Sequence, residues 1–142
     1  AGTVTSVEPV RAAAEAGAKF IVSPDVNEDV IRETVRLGMV SMPGALTPTE
    51  CMVAHRAGAD FVKLFPAGEL GTGYLKAIRS PLNHIRFLAV GGVGVGNLAD
   101  FLKAGALGAG IGGSLVSKGL IRAGRFDEIT ATAKALVAAA QG

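Results

Sequence analysis

The residue with the clearest chemical potential is Lys63, which lies near the end of the apolar run Asp60-Phe61-Val62-Lys63-Leu64-Phe65-Pro66. Side chains alternate across a strand, so we expect the Lys63 ammonium to lie between the rings of Phe61 and Phe65. Burial beside apolar rings lowers the pKa of a lysine below about 10.4 and makes its neutral amine available for Schiff-base formation. The alternative is a strand-end lysine that lays its alkyl chain on apolar surface and keeps its ammonium in water. The run by itself fits both interpretations.

A repeated unit of helix, glycine and strand positions this lysine. Glycine follows an amphipathic stretch and precedes a short apolar run four times, which is typical of a helix C-terminus. These glycines are Gly17, Gly38, Gly58 and Gly105. Helix starts are marked by Asn27 and by the capping box Thr47-Pro48-Thr49-Glu50.

These signals predict strands near 2–5, 19–23, 39–43, 60–65, 86–90 and 107–112. They predict helices near 7–16, 28–37, 48–57, 72–79, 96–104 and 126–140. Alternating strands and helices indicate an α/β fold with parallel strands buried by helices. A closed (β/α)8 TIM barrel needs at least ~200 residues. We therefore expect residues 1–142 to form one barrel domain with about six βα units, N-terminally incomplete by the first two.

Ligands of parallel α/β folds gather at the carboxyl ends of the strands, so the residues after each apolar run are candidates for a site. Those residues are Thr3, Ser23-Pro24, Pro43-Gly44, Lys63 to Pro66, Gly91-Gly92 and Gly112-Gly113-Ser114. Glycine pairs let backbone N–H groups approach an anion, and barrels often hold phosphate in the loops after their last two strands. One glycine pair is more often a plain turn, but two on successive units favour a phosphate site.

An aldol-type reaction through a lysine adduct also requires a base that moves protons on and off carbon. We expect Glu50 to cap a helix, and Asp25 and Glu69 to be solvated loop acids. Tyr74 is compatible with either packing or proton transfer, and we expect His55 on a helix surface. The residues themselves identify no convincing base.

Composition excludes several classes of protein. The 14 basic and 12 acidic residues give a net charge of +2 without a polybasic cluster, so we expect neither a nucleic-acid nor a membrane partner. Cys51 has no partner for an internal disulfide, and His55 and His84 lie far apart in sequence, so we predict no metal site. The absence of an apolar run of about 20 residues and of a signal core favours the cytoplasm.

Together these motifs resemble, over the whole chain, the 2-keto-3-deoxy-6-phosphogluconate (KDPG/KHG) aldolases, class I enzymes with a (β/α)8 barrel. The motifs that carry the resemblance are Ala1-Gly2-Thr3-Val4, Phe20-Ile21-Val22-Ser23-Pro24, Pro43-Gly44, Thr47-Pro48-Thr49-Glu50, Val62 to Ala67, Val90-Gly91-Gly92-Val93 and Gly112-Gly113-Ser114.

The resemblance assigns roles to individual residues. It implies that Lys63 forms a Schiff base with pyruvate or the keto-acid substrate, with Phe65 beside it, and that Thr3 and Pro24 line the pyruvate side. It places the substrate phosphate at Gly91-Gly92 and Gly113-Ser114. It further implies a homotrimer that needs no metal or organic cofactor.

Two features depart from the family pattern. Members usually carry a glutamate base and a substrate-binding arginine on the second strand, which we expect to precede Ala1. Leu88-Ala89-Val90 stands where typical phosphogluconate enzymes have proline and threonine. Val90 cannot donate the hydrogen bond of that threonine, so this part of the substrate site looks more like the phosphogalactonate branch.

The sequence therefore predicts a class I aldolase that cleaves 2-keto-3-deoxy-6-phosphogluconate to pyruvate and glyceraldehyde 3-phosphate, with 4-hydroxy-2-oxoglutarate as a further substrate. The phosphogalactonate epimer is the alternative substrate. A phosphate-binding barrel isomerase that uses Lys63 only as a charge is a second hypothesis. An inactive barrel fragment or interaction module is a third.

Overall fold

Short parallel strands alternate with helices throughout the computed structural model, which describes residues 1–142. The strands are β1 (Phe20–Val22), β2 (Val40–Met42), β3 (Gly44–Ala45), β4 (Val62–Leu64), β5 (Phe87–Val90) and β6 (Gly108–Gly110). The helices are α1 (Val7–Glu15), α2 (Glu28–Arg36), α3 (Pro48–Arg56), α4 (Ala67–Arg79), α5 (Leu98–Lys103), α6 (Lys118–Arg122) and α7 (Phe126–Gln141).

Several helices begin or end at the residues that the sequence marks for those positions. The Asn27 side chain accepts hydrogen bonds from the backbone N–H groups of Asp29 and Val30 at the start of α2. Thr47 and Glu50 form the predicted capping box of α3. Each of the four predicted glycines follows a helix and has a positive φ angle itself, a conformation that only glycine adopts without strain. They are Gly17, Gly38, Gly58 and Gly105.

All the strands are parallel, and together they form part of a barrel wall. β1 pairs with β2, and the order β3-β4-β5-β6 makes a second sheet. The two sheets join around Pro43, because the Ser41 carbonyl accepts hydrogen bonds from the N–H groups of Asp60 and Phe61 at 3.1 and 3.2 Å. Gly44 and Leu88 flank Lys63 on the neighbouring strands.

Four element boundaries differ from the prediction. The predicted strand 2–5 is wrong, because Thr3 has a φ angle of 58° and only Gly2 forms an isolated bridge to Val22. The run 39–43 continues as two strands rather than one, since Pro43 has no N–H group for the ladder. Helix α4 begins at Ala67, earlier than predicted, and is interrupted at Gly71. Helix α6 was not predicted.

Side-chain alternation in β4 separates the core from the candidate site. Val62 and Leu64 belong to the larger hydrophobic core, where α3, α4 and α5 contribute residues such as Cys51, Leu75 and Phe101. The side chain of Lys63 consequently lies on the other face of the strand, the one that faces the concave side of the partial barrel.

A smaller core lies beneath α1 and α2. It consists of Val4, Val10, Ile21, Val30 and Met39. Across its surface Glu33 pairs with Arg11 and Arg36 at 2.6 Å, and hydrogen bonds from Arg36 and then Arg11 lower the pKa of Glu33 to about 2. This core fixes β1, whose carboxyl end reaches the candidate site. No helix combines the length and apolar character needed to cross a membrane.

Candidate active site

Lys63 is buried at the centre of the candidate site. Only 7% of the residue is exposed to solvent, and its Nζ donates a 3.0 Å hydrogen bond to the backbone carbonyl of Ser23. The Phe65 ring lies 4.4 Å from Nζ, within cation–π range. The expectation of two flanking rings is wrong for Phe61, whose ring instead packs against the Arg86 guanidinium at 4.6 Å. Lys63 is therefore not a snorkelling lysine, because its amino group is held inside the protein.

The surroundings of Lys63 favour its neutral form. Burial lowers the pKa of Lys63 below the ordinary lysine value, and the negative charge of Asp25 opposes this effect without cancelling it. Asp25 is exposed, so water weakens the contribution of its carboxylate. A lowered pKa increases the fraction of free amine near neutral pH, and only the free amine is nucleophilic.

A cavity of about 390 Å³ opens in front of the Lys63 side chain. Residues of five strands line it, and its large apolar side chains are those of Phe20, Val22, Met42, Leu88 and Val90. The strand β6 contributes Gly108, Ala109 and Gly110. A cavity of this size and character suits a small organic ligand with few polar groups.

A second cavity of about 400 Å³ adjoins the first and shares Val90 and Gly110 with it. It is lined by the two predicted glycine loops, and its lining residues are Phe65, Val90, Gly91, Gly92, Val93, Gly110, Gly112, Gly113 and Ser114. The structure thus brings together the loops after β5 and β6, as the sequence predicts for a phosphate site. Phe65 lines this cavity and also contacts the amino group of Lys63.

The loop after β5 requires glycine for reasons of space. Gly91 has a φ angle of 85°, and a Cβ atom there would lie 2.9 Å from carbons of the Phe65 ring. A Cβ at Gly68, at the start of α4, would lie 2.7 Å from the Cα of Gly92. The Gly68 N–H group donates a 2.7 Å hydrogen bond to the Gly91 carbonyl. These close approaches lock the loop against the segment that carries Phe65.

Asn97, which was not among the predicted site residues, braces the same loop. Its Oδ1 accepts a hydrogen bond from the N–H group of Gly94 at 2.8 Å, and its Nδ2 donates to the Gly92 carbonyl at 3.0 Å. The Ser114 hydroxyl donates to the Val93 carbonyl at 2.8 Å and so ties the β6 loop to the β5 loop. The position of Asn97, after a glycine-rich loop and just before a helix, is the sequence signal that could have predicted this role.

Thr3 and Pro24 lie at the edge of the site rather than in it. Both are exposed, and neither lines either of the two cavities. Pro24 directly follows the carbonyl that accepts from Lys63. Thr3 lies between Gly2 and Val4, which both pair with Val22 at the end of β1. Their predicted contact with pyruvate stays a prediction.

The remaining polar candidates lie elsewhere or act structurally. Glu50 caps α3, and the Tyr74 hydroxyl donates a 2.6 Å hydrogen bond to the Leu46 carbonyl, which favours packing over proton transfer.

His55 and His84, distant in sequence, pack edge to face at 4.9 Å between ring centroids, beside a cavity of about 110 Å³ at the amino ends of β4 and β5. No cluster of three or more His, Cys, Asp or Glu side chains is arranged to hold a metal ion.

A comparison with protein families matches residues 1–132 to the family described as "Aldolase: KDPG and KHG aldolase". Among curated proteins, the 2-dehydro-3-deoxy-6-phosphogalactonate aldolase of Escherichia coli K12 is 43% identical over 132 residues, which are 92% of this chain and 62% of that protein. The 2-dehydro-3-deoxy-phosphogluconate aldolase of Treponema pallidum is 37% identical over 132 residues, 92% of this chain and 63% of its own length. The chain thus spans about three fifths of the length of these relatives.

Solved structures agree with the sequence comparisons. One described as "Native KDPGal structure" superimposes with a TM-score of 0.92 at 39% identity and covers 99% of this chain and 66% of that one. A 3-hexulose-6-phosphate synthase superimposes with a TM-score of 0.69 at 18% identity, over 97% of this chain and 70% of that one, and shows the shared fold alone. The expected TIM-barrel-like α/β architecture is confirmed, with part of the barrel present.

Proposed function

The chain belongs to the KDPG and KHG aldolase family, and from that premise we propose that its protein is a Schiff-base aldolase acting on 2-keto-3-deoxy-6-phospho sugar acids. The observation that carries the proposal is the buried Lys63, whose Nζ lies in an apolar cavity next to a glycine-lined one. An amine with a lowered pKa and an adjoining anion site match two of the functional groups of such a substrate, its ketone and its phosphate.

Lys63 supplies the electron sink in this mechanism. Its neutral Nζ attacks the C2 ketone, and the carbinolamine loses water to give an iminium ion. Removal of the proton from the C4 hydroxyl then breaks the C3–C4 bond, because the iminium ion accepts the bonding electrons as an enamine. The aldehyde released is glyceraldehyde 3-phosphate. Protonation of the enamine at C3 and hydrolysis of the resulting iminium ion release pyruvate and regenerate Lys63.

The glycine loops bind the other end of the substrate. Gly91, Gly92 and Gly113 carry no side chains that would keep a phosphate from the backbone N–H groups. The Ser114 hydroxyl can turn from the Val93 carbonyl to donate to a phosphate oxygen. Phe65 contacts both parts of the proposed site, since it lines the glycine-loop cavity and its ring lies 4.4 Å from Nζ of Lys63.

The proton transfers at oxygen and carbon also need a base, a role that the family resemblance assigns to a glutamate on the second strand of the barrel. Asp25 is the carboxylate whose charge influences Lys63, and its exposure on a loop makes it a poor candidate for that role. The proposed activity is accordingly that of the whole protein. Its partners are the keto-acid phosphate and the two products, and the resemblance further predicts a homotrimer.

Between the two epimeric substrates, we favour the galactonate form over the gluconate form. The E. coli and Rhizobium meliloti relatives, both 43% identical, carry phosphogalactonate names, whereas four relatives named for phosphogluconate are 33–40% identical. Val90 lines both cavities and has no hydroxyl to donate to a substrate oxygen. A missing donor discriminates strongly between epimers, since it leaves a buried polar group of one of them unpaired.

The experiment is to measure pyruvate release from both phosphorylated epimers by the protein and by its Val90→Thr variant. We expect faster release from the galactonate epimer, and a gluconate-to-galactonate ratio that rises about tenfold in the variant. The matched control is Val95→Thr, a substitution at an exposed residue outside both cavities. If the protein releases pyruvate from neither epimer, the proposed activity is contradicted. If Val90→Thr leaves the gluconate-to-galactonate ratio of the release rates unchanged, the role of Val90 is contradicted.

A further inference from the structure

Lys63 owes its position to a backbone carbonyl from a different strand. The Ser23 carbonyl, just beyond the end of β1, is the sole hydrogen-bond acceptor of its Nζ, at 3.0 Å. Both Ser23 and Lys63 are buried, at 3% and 7% exposure. A hydrogen bond to one N–H of an amino group fixes the directions of its remaining substituents and its lone pair. The Ser23 carbonyl is therefore placed to orient the amine.

Gly44 controls where that carbonyl can lie. It is paired with Lys63 across β3 and β4, and it contacts the Ser23–Pro24 segment from the other side. A Cβ atom at position 44 would lie 2.3 Å from the Pro24 oxygen, 2.6 Å from the Pro24 carbonyl carbon and 3.0 Å from the Ser23 oxygen. A rotamer change cannot relieve these approaches, because all three atoms belong to the backbone.

We infer that Gly44 is a positioning residue for Lys63: its missing side chain lets the Ser23–Pro24 backbone approach β3 closely enough for the Ser23 carbonyl to hold the reacting amine. The inference rests on the proposed role of Lys63 as the Schiff-base residue. Gly44 lines neither of the two cavities, so the role that we assign to it acts only through the position of a carbonyl. A purely structural glycine would affect stability and leave the chemistry of Lys63 unchanged.

The first test compares Gly44→Ala with Gly73→Ala in the pH dependence of adduct formation with pyruvate and borohydride. Gly73 lies in α4, and a Cβ atom there would meet no side chain within 4 Å, so its variant isolates the effect of an added methyl group. Displacement of the Ser23 carbonyl removes a hydrogen bond that favours the protonated amine. We expect the pH midpoint of adduct formation by Gly44→Ala to be lower by about one pH unit. At high pH, where the rate no longer depends on pH, we expect adduct formation to be several-fold slower. A profile that matches Gly73→Ala overturns the inference.

The second test needs no substitution at Gly44 and so does not depend on folding of that variant. Within residues 1–142, serine labelled with ¹³C at its carbonyl, combined with ¹⁵N-proline, marks two Ser-Pro bonds, Ser23–Pro24 and Ser80–Pro81. We expect the Ser23 carbonyl shift to follow the titration of Lys63 and to be independent of pH in Lys63→Met. Ser80 is the internal reference. A Ser23 signal that does not respond to Lys63 overturns the inference.

The two hypotheses fail in different ways. If pyruvate and borohydride leave no adduct on Lys63, the proposed aldolase function fails, while the carbonyl titration still decides whether Ser23 holds the amine. If the adduct forms on Lys63 but the Gly44→Ala profile matches that of Gly73→Ala, or the Ser23 shift does not respond to Lys63, the aldolase function stands and the positioning role of Gly44 is refuted.

Discussion

The two ends of β4 carry similar pairs of a cation and a phenyl ring, with different chemical consequences. At the carboxyl end, Lys63 lies 4.4 Å from the Phe65 ring and donates to the Ser23 carbonyl at 3.0 Å. At the amino end, Arg86 lies 4.6 Å from the Phe61 ring and donates a hydrogen bond to the Asp60 carbonyl, also at 3.0 Å. The contacts are nearly equivalent, but Lys63 is buried and Arg86 is exposed.

The comparison shows that burial and ionisability, rather than ring stacking, create the candidate nucleophile. A guanidinium keeps its proton at any pH that the protein meets, so Arg86 can serve only as a charge and a hydrogen-bond donor. A buried ammonium loses solvation, and the pKa of Lys63 falls accordingly. Variants that exchange or alter burial, charge and ring contact one at a time therefore test this difference between the two ends.

The largest effect is expected for Lys63→Arg, which makes the carboxyl end resemble the amino end. A guanidinium at this position cannot form a Schiff base, so kcat/KM for cleavage of the phosphorylated keto acid should fall by at least ~10³-fold. The reciprocal variant Arg86→Lys keeps an exposed cation on Phe61 and should change kcat/KM less than about twofold. Steady-state assays of pyruvate release measure both. Comparable losses in the two variants would refute the distinction between the ends.

A smaller effect is expected from Gly91→Ala, which disturbs the loop that holds Phe65 beside Lys63. The new Cβ must adopt a φ angle of 85° and would lie 2.9 Å from the ring, so the free energy of unfolding should fall by about 2–4 kcal/mol. Gly124→Ala is the control, because Gly124 has a φ angle of 67° but nothing within 4 Å. Its cost should be only about 1–2 kcal/mol. Urea unfolding measures the free energy of unfolding of both variants. Equal losses would show that contact between position 91 and Phe65 is unimportant.

The smallest effect is expected from Asp25→Asn, which removes the negative charge that partly offsets burial at Lys63. Because that charge raises the pKa of Lys63, its removal should lower the pKa further. The pH midpoint for reductive trapping with pyruvate should then move to lower pH by roughly a few tenths of a unit, since Asp25 is exposed and screened. Asp100→Asn, an exposed substitution on α5, is the control. A midpoint that moves upward would contradict the assigned sign.

Local signals in the sequence were sufficient for most elements of the fold and for the glycine loops that the structure brings together. The caps at Asn27 and Thr47 and the glycines after the helices mark the boundaries correctly, because capping depends on neighbours within a few residues. The meeting of the two glycine loops follows from the parallel topology, whereas strand alternation gives only the face on which Lys63 lies and not its burial.

Contacts between distant segments were not predictable in the same way. The Ser23 carbonyl that holds Lys63 and the fit of Gly44 against Pro24 depend on the spacing of strands in three dimensions, which no residue pattern encodes locally. Alternation placed Phe61 and Phe65 on one face of β4, but it could not show that the Phe61 ring would pair with Arg86. The strand expected at 2–5 failed for a local reason, the positive φ angle of Thr3.

The most direct test of the proposed chemistry is reduction with borohydride in the presence of pyruvate, followed by peptide mapping. Reduction of the iminium ion leaves a stable secondary amine, so we expect a single mass increase on the peptide that contains Lys63. Arg86→Lys should be labelled on Lys63 and not on its new lysine, since position 86 is exposed and outside the cavity. Label on another lysine of an active preparation, or activity without any reducible adduct, would contradict the central claim that buried Lys63 is the nucleophile.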